Sequence, residues 1–222
     1  MTIDAPVVVF DFDLTLTKVD NARRFYRWLV LRQPWRLGLV VVAAPGLAVL
    51  ALATLSRKWF GLFWIWAGTL GVRASAVPQL VQEHIASLSD DPASIFLDAA
   101  VDRLREHLHQ GHRVVIATGS PKPLARAFLR HAGLDNVPLI GTCLRSHAGG
   151  LARDPYCHGD DKLLMLQERG FFPPWASVYT DHRSDLPILR HSSASYLVSP
   201  KRECLASIER ELESKPTVLL WR

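Results

Sequence analysis

Val7-Val8-Val9-Phe10 is a run of four apolar, mostly β-branched residues that ends abruptly in Asp11-Phe12-Asp13. A strand with no polar alternation is buried on both faces, as strands inside a parallel sheet are and half-solvated antiparallel strands are not. In parallel sheets the crevice that takes ligands lies beyond the carboxyl ends of the strands. Two acids at that end of a buried strand therefore stand where a ligand would be met.

The C-terminal part of the chain continues the pattern. Asp91-Pro92 has the chemistry of a helix start, with Gly111 closing that helix. Val114–Ala117 reads as a second buried strand, and Thr118-Gly119-Ser120-Pro121 as a turn after it. Leu124–Ala132 reads as a helix stopped by Gly133, and Asp161–Arg169 as one closed by Gly170. Leu139–Leu144 and the residues after Gly149-Gly150 suit a hairpin. Val178–Thr180 and Tyr196–Val198 are further strands, with a helix around Leu186–Arg190 between them. This alternation predicts an α/β fold, a doubly wound parallel sheet with helices on both faces. A chain of 222 residues has room for one such domain and an insert.

Residues 19–90 break the alternation. Leu37–Ser56 is a twenty-residue run without a charge, interrupted by Pro45-Gly46, and Trp59–Val72 is a second apolar run. Five of the seven tryptophans lie here: Trp28, Trp35, Trp59, Trp64 and Trp66. Between residues 18 and 73 nine Lys or Arg face a single acid, Asp20, so the segment carries +8 although the whole chain carries only +5. An electrostatic partner belongs at this segment. Nucleic acid is a poor candidate for it, because the basic residues flank apolar runs and do not line a polar face. Cys143, Cys157 and Cys204 form no framework spacing and suggest free thiols in a reducing compartment. The first ten residues show neither the basic start nor the cleavage site of a secretory signal.

Four short segments carry the chemistry. Alone, an Asp-x-Asp is usually a solvated strand end, a Thr-Gly after a strand a turn, and a lysine at a helix start an exposed charge. Here Asp11-Phe12-Asp13-Leu14-Thr15, Val114–Gly119, Lys162 within His158-Gly159-Asp160-Asp161-Lys162, and Tyr179-Thr180-Asp181-His182-Arg183-Ser184-Asp185 occur together and in this order. Together they resemble the haloacid dehalogenase superfamily of phosphotransferases, over most of the chain outside residues 19–90. The resemblance implies Asp11 as a nucleophile that accepts a phosphoryl group, and Asp13 as the acid that protonates the leaving oxygen and later activates water. It implies Thr118, Gly119 and Lys162 as phosphate-binding groups. It also implies Mg²⁺ on Asp11, Asp13 (through its backbone carbonyl) and Asp181, with Asp185 either a ligand or a support for one. As a helix cap Asp185 would serve about as well. The commonest family form has Gly-Asp-Ser in the fourth segment, where this chain has Thr180-Asp181-His182.

In that family an insert between the first and second motifs is a cap over the site, helical in the phosphoserine phosphatase-like branch. The expected organisation is a catalytic core of residues 1–18 and 91–222 and a helical cap of residues 19–90. Residues 37–72 are then either a buried hairpin of that cap or a membrane-contacting element. A single span would put Asp11 and Thr118 on opposite sides of the bilayer. Trp59–Val72 is too short to return, and a turn at Pro45-Gly46 leaves legs of about nine residues. A cap lying in, or dipping into, one anionic leaflet fits the tryptophans and the basic charge. With Cys157–Lys162 and Ser184–Pro187, the pattern is similar to phosphatidylglycerophosphatases of the haloacid dehalogenase type. This implies a lipid phosphate monoester as substrate, at the cytoplasmic side of the inner membrane. The alternative is a soluble cytoplasmic phosphatase acting on phosphoserine or a sugar phosphate.

Overall fold

The computed structural model describes residues 5–54 and 57–221, without the side chains of residues 40, 44, 47–54, 57–61 and 64. Strand β1 (Val7–Phe10) leads into the helices α1 (Asn21–Leu31), α2 (Pro34–Thr54), α3 (Arg57–Gly68) and α4 (Val77–Ala86). The chain then runs through α5 (Asp98–His109), β2 (Arg113–Pro121), α6 (Lys122–His131), β3 (Leu139–Thr142) and the hairpin β4 (Leu144–His147) and β5 (Gly150–Arg153). It ends in α7 (Asp160–Glu168), β6 (Ser177–Thr180), α8 (Leu186–Leu189), β7 (Ser195–Val198), α9 (Arg202–Glu209) and β8 (Thr217–Leu219).

Six strands form one parallel sheet in the order β3-β2-β1-β6-β7-β8. Successive side chains of a strand point to opposite faces, and β1 uses both. Val8 and Phe10 join Leu104, Phe128 and Leu129 on the side of α5 and α6. Val7 and Val9 join Leu166, Ile188 and Ile208 on the side of α7, α8 and α9. The chain builds outward from β1 in one direction through β2 and β3, then returns to its other edge with β6, so the strand order reverses at β1. A crevice opens beyond the strand ends at such a reversal, and Asp11 is the first residue past β1.

The segment 19–90 is helical, and it is not wholly separate from the core. Asp20 caps α1, its side chain accepting from the Arg23 N–H at 2.8 Å. Phe25, Tyr26 and Leu29 of α1 and Val81 and Ile85 of α4 belong to the same buried cluster as Phe10 and Phe128. Arg36 at the start of α2 is buried and donates to the carbonyls of Leu29 and Leu70 at 3.1 and 2.7 Å, tying α1, α2 and the end of α3 together.

Several expectations need correction. Pro45 does not break the apolar run: α2 continues through it. Pro45 lies on the exposed side, where the carbonyl that loses its donor is not sealed in a core. Among the described residues no helix is long and apolar enough to cross a membrane; the side chains of the second half of the Leu37–Ser56 run, residues 47–56, lie outside them. Asp91-Pro92 opens only a short 3-10 turn, Pro92–Ile95. Leu97 N–H then donates to Leu16 O at 2.9 Å, pulling the chain extended before α5 begins at Asp98. Thr118–Pro121 is a continuation of β2 with a register shift against β3, not a turn. The hairpin is β4 with β5, whereas β3 belongs to the main sheet. Strand β8, Thr217–Leu219, adds a sixth strand to the sheet that the alternation did not predict.

Candidate active site

The turn after β1 sets the site. The Asp11 N–H donates to Tyr179 O at 2.9 Å, carrying the pairing with β6 one residue past the strand. The chain then folds back: the N–H groups of Leu16 and Thr17 both reach Phe12 O, at 2.9 and 3.1 Å. Leu14 pays for this reversal with a φ of +58°, a left-handed conformation that costs a side-chain-bearing residue about 1–2 kcal/mol. The Thr17 hydroxyl holds the turn, bonding Phe12 O at 3.2 Å and Val19 O at 2.9 Å. Both acids consequently line one cleft of about 460 Å³.

Asp13 is gripped from two remote elements. The Ser120 hydroxyl donates to it at 2.6 Å, and the backbone and side-chain N–H groups of Asn21 at 2.8 and 3.2 Å. Burial pushes its pKa up to about 6, although the Ser120 and Asn21 bonds oppose the shift. A carboxyl in that range exchanges a proton readily near neutral pH, as a general acid and base must.

Lys162 in the first turn of α7 is only 2 % exposed. Its Nζ lies 3.0 Å from Asp11 Oδ1 and 2.8 Å from Asp185 Oδ2, and the Thr180 hydroxyl bonds that same Asp185 oxygen at 2.7 Å. Burial by itself would lower the lysine's pKa, but Asp11 and Asp185 together hold it above the ordinary value. For Asp11 burial dominates and raises the pKa well above the usual carboxylate range; Lys162 opposes this, while Asp185, Asp181 and Asp13 push it further up. Asp181 is raised to about 7, first by burial and then by Asp185.

Four acids, Asp11, Asp13, Asp20 and Asp181, thus line the cleft with Lys162. Among the described residues no three His, Cys, Asp or Glu side chains stand close enough to cage a cation by themselves. Magnesium does not need such a cage, since it keeps several waters and takes one or two carboxylates plus substrate oxygens. The residues fit that requirement: the acids are hard oxygen donors, and burial, aided by neighbouring carboxylates, raises the pKa of Asp11 and Asp181, a cost that a cation would offset. Asp185 is placed differently. It is 1 % exposed, does not line the cleft, and is engaged by Lys162 and Thr180. Its Oδ1 makes no hydrogen bond of good geometry, although Lys162 Nζ is 2.7 Å away.

A strand end bearing a buried carboxylate, a lysine on it and acids from the neighbouring strand follow the chain order of one family. Residues 8–190 match the model of the haloacid dehalogenase-like hydrolases. The chain belongs to that family. It is 28 % identical over 176 residues to Protein CicA of Caulobacter vibrioides, covering 73 % of this chain and 71 % of that one. Among solved structures it is similar to a phosphoserine phosphohydrolase-like protein from Francisella tularensis, with a TM-score of 0.64, 13 % identity and coverage of 96 % and 94 % of the two chains. It is also similar to a phospho-aspartyl intermediate analogue of phosphoserine phosphatase, with a TM-score of 0.56, 12 % identity and coverage of 97 % and 93 %. At these identities the structural likeness speaks for the fold, including the helical insert.

In this haloacid dehalogenase-like hydrolase the four sequence segments converge, with some reassignment. Asp11, Asp13, Gly119, Lys162 and Asp181 line the cleft. Thr118 and Ser120 are both fully buried: the Thr118 hydroxyl accepts from the Ser120 N–H at 3.0 Å and stands 3.5 Å from Asp13, and Ser120, which lines the cleft, donates to Asp13 at 2.6 Å. His182 occupies the cleft rim, its ring nitrogen accepting from the Ser184 N–H at 3.1 Å. Sequence reasoning missed Ser120, Asn21 and Thr180. The Thr118-Gly119-Ser120 string pointed to the first; no local pattern pointed to the other two. Asp20, Arg23, Tyr26 and Ile65 from the insert and Arg153, Tyr156 and His158 from the segment before α7 also line the walls.

Proposed function

We propose that this hydrolase is a magnesium-dependent phosphomonoesterase that works through a phospho-aspartate at Asp11, on a lipid phosphate presented at an anionic membrane surface. The observation that carries the chemistry is Asp11 held 3.0 Å from buried Lys162, with Asp13 bonded to Ser120 across the same cleft. An Asp11 carboxylate oxygen attacks phosphorus, and the bond to the leaving oxygen breaks as Asp13 supplies a proton. Asp13 then takes a proton from water, which attacks the phosphoryl group and frees Asp11. Lys162 offsets the charge gathered on the phosphoryl oxygens. Asp11, Asp181 and the Asp13 carbonyl would hold Mg²⁺, which adds electrostatic stabilisation of the same oxygens. Asp185 orients Lys162.

The membrane part rests on α2. Every exposed residue between Pro34 and Gly46 is apolar or glycine: Pro34, Trp35, Leu37, Gly38, Val41, Val42, Pro45 and Gly46. Val42 is 81 % exposed and Val41 63 %. A helix on a water-facing surface puts polar residues outward, and a contiguous exposed apolar face marks an interaction surface. Here the single charge of the stretch, Arg36, is the residue turned inward. Arg24 and Arg27 are exposed on the adjoining α1, suited to anionic headgroups. Arg32, by contrast, is paired with Glu83. At about 18 Å α3 is too short for a bilayer core of about 30 Å, so α2 and α3 suit docking into one leaflet and not a two-helix crossing. The proposal places the enzyme on the cytoplasmic face of the membrane.

A soluble phosphate ester is the second reading, favoured by a cleft of about 460 Å³ walled by insert and core, the size of a small-molecule site. Co-sedimentation with vesicles separates the two. The wild type binds vesicles containing phosphatidylglycerol and not pure phosphatidylcholine. Val41→Glu/Val42→Glu weakens binding and lipid turnover while p-nitrophenyl phosphate hydrolysis persists. A wild type that stays in the supernatant makes the soluble reading the answer. Asp11→Asn turnover above a few per cent of wild type, with deamidation excluded, refutes the covalent chemistry.

A further inference from the structure

One wall of the cleft carries polar groups that the phosphoryl chemistry does not use. Tyr26 of α1 is 6 % exposed, and its hydroxyl is buried without a hydrogen-bond partner among the described residues. Arg153, the last residue of β5, has a buried Nε that is likewise unpartnered, and no carboxylate pairs with it among the described residues. Both side chains line the cleft that holds Asp11. Buried donors left without partners cost free energy, and in a native structure such groups call for an explanation.

Their position is built. The Arg153 guanidinium carbon lies 3.8 Å from the centroid of the Tyr156 ring, which fixes its plane. The Tyr156 ring in turn stands 3.6 Å from the point where a Cβ on Gly119 would be, next to Ser120 and its bond to Asp13. The Tyr156 ring thus touches both Arg153 and Gly119, the latter next in sequence to the Ser120 that bonds Asp13. The strand that carries it is anchored to the insert: Leu151 N–H donates to the Thr69 hydroxyl at 2.9 Å, and Trp66 Nε1 to Ala148 O at 3.0 Å. Gly150 lies so close to α3 that a Cβ there would sit 2.8 Å from Trp66. A guanidinium held this rigidly presents its donors at a fixed place. The nearby acid of the wall, Asp20, is occupied in capping α1 at 2.8 Å from the Arg23 N–H.

We propose that Arg153, with the Tyr26 hydroxyl beside it, is a specificity-determining pair that receives a second acidic group of the substrate, a carboxylate or a phosphodiester, next to the phosphomonoester cleaved at Asp11. This rests on the phosphomonoesterase reading and adds the class of leaving group. A planar guanidinium binds either acid through two parallel N–H bonds, and the tyrosine hydroxyl supplies one more donor. A carboxylate source and a lipid phosphodiester source make the same demand on these residues, and the choice of ester tells them apart.

The test measures phosphate release from O-phosphoserine (carboxylate), phosphatidylglycerophosphate in detergent micelles (phosphodiester) and glycerol 3-phosphate (no second acid), with wild type, Arg153→Gln, Arg153→Lys, Tyr26→Phe and Asp11→Asn. The wild type prefers one of the two-acid esters over glycerol 3-phosphate. Arg153→Gln reduces that preference by about tenfold to a hundredfold, the range for a hydrogen bond to a charged group, and does so through KM. Arg153→Lys keeps the charge without the fork and falls between, and Tyr26→Phe reduces the same preference severalfold while keeping its packing. Losses that are equal for all three esters, or a wild type without preference, overturn the inference while Asp11-dependent turnover keeps the phosphomonoesterase reading. If none of the three esters is turned over in an Asp11-dependent way, both fall.

Discussion

Lys162→Met removes the cation that bridges two acids in the least solvated part of the site. Its Nζ is 3.0 Å from Asp11 and 2.8 Å from Asp185, and Lys162 and Asp185 are 2 % and 1 % exposed. Methionine fills much the same volume, so packing is nearly kept and the charge is lost. Breaking a buried pair in this way costs about 3–5 kcal/mol, because the partners stay behind uncompensated. The stranded Asp11 carboxyl escapes part of that cost by taking a proton, which fixes the pH dependence. Burial already holds its folded pKa well above the unfolded value and Lys162 is the charge that opposes this, so the variant tolerates Asp11 at a pH below the unfolded value and loses stability as pH rises through the folded one. The gap between variant and wild type is therefore small below about pH 4 and widens to about 3–5 kcal/mol near pH 8. For a chain of this size that is a fall in Tm of about 6–20 °C. Urea unfolding followed by circular dichroism measures it across the pH range, in wild type, Lys162→Met, Asp185→Asn and the double variant. Asp185→Asn removes one of the stranded charges, so the double variant loses less than the two singles together, with a coupling of about 1–3 kcal/mol. A single-variant loss below about 1 kcal/mol at pH 8, a gap that does not narrow in acid, or strict additivity refutes the reasoning.

Further outcomes follow from the same geometry. Asp13→Asn slows esters with poor leaving groups by about 10²–10⁴-fold but aryl esters far less, because only the former need the proton; equal losses in a leaving-group series would assign Asp13 a structural role. Magnesium raises the Tm of the wild type by preferential binding to the folded state, and Asp181→Asn removes most of that shift in a thermal melt without substrate; an unchanged shift would remove Asp181 from the metal site. His84 is 3 % exposed and packs against Phe25 and Trp28, and burial, aided by Arg24, lowers its pKa to about 4. Its neutral form is the one the fold favours, so stability falls as pH drops from about 6.5 to 4, by up to about 3 kcal/mol, and His84→Gln flattens that slope in denaturant melts.

The readable parts of the chain are those written in local patterns. An unbroken apolar run ending in acids specifies β1 and places Asp11 at its end. Apolar spacing of 3 and 4 residues marks α6, and Gly133 and Gly170, at φ of +66° and +78°, mark where α6 and α7 stop. These need only the residue and its neighbours. Asp11, Asp13, Lys162 and Asp181 were legible because each sits at a fixed place in a strand-end or helix-start motif.

What tertiary structure decided is what distant segments do to one another. Ser120 bonds Asp13 across 107 residues of sequence and Trp66 bonds Ala148 across 82, and no periodicity encodes such pairs. Local composition counted Arg36 as surface charge; it is buried because two carbonyls, from Leu29 and Leu70, converge on its guanidinium. Asp185, expected as a metal ligand or the support of one, does not line the cleft, because Lys162 and Thr180 engage its carboxylate. Sequence determined which residue types could do the chemistry and on which strand ends they would stand. Which hydroxyls hold Asp13, which acid backs the lysine and which arginines line the cleft depended on how the sheet and insert close around them, because a hydrogen bond or an ion pair is settled by ångströms between side chains and not by their order in the chain.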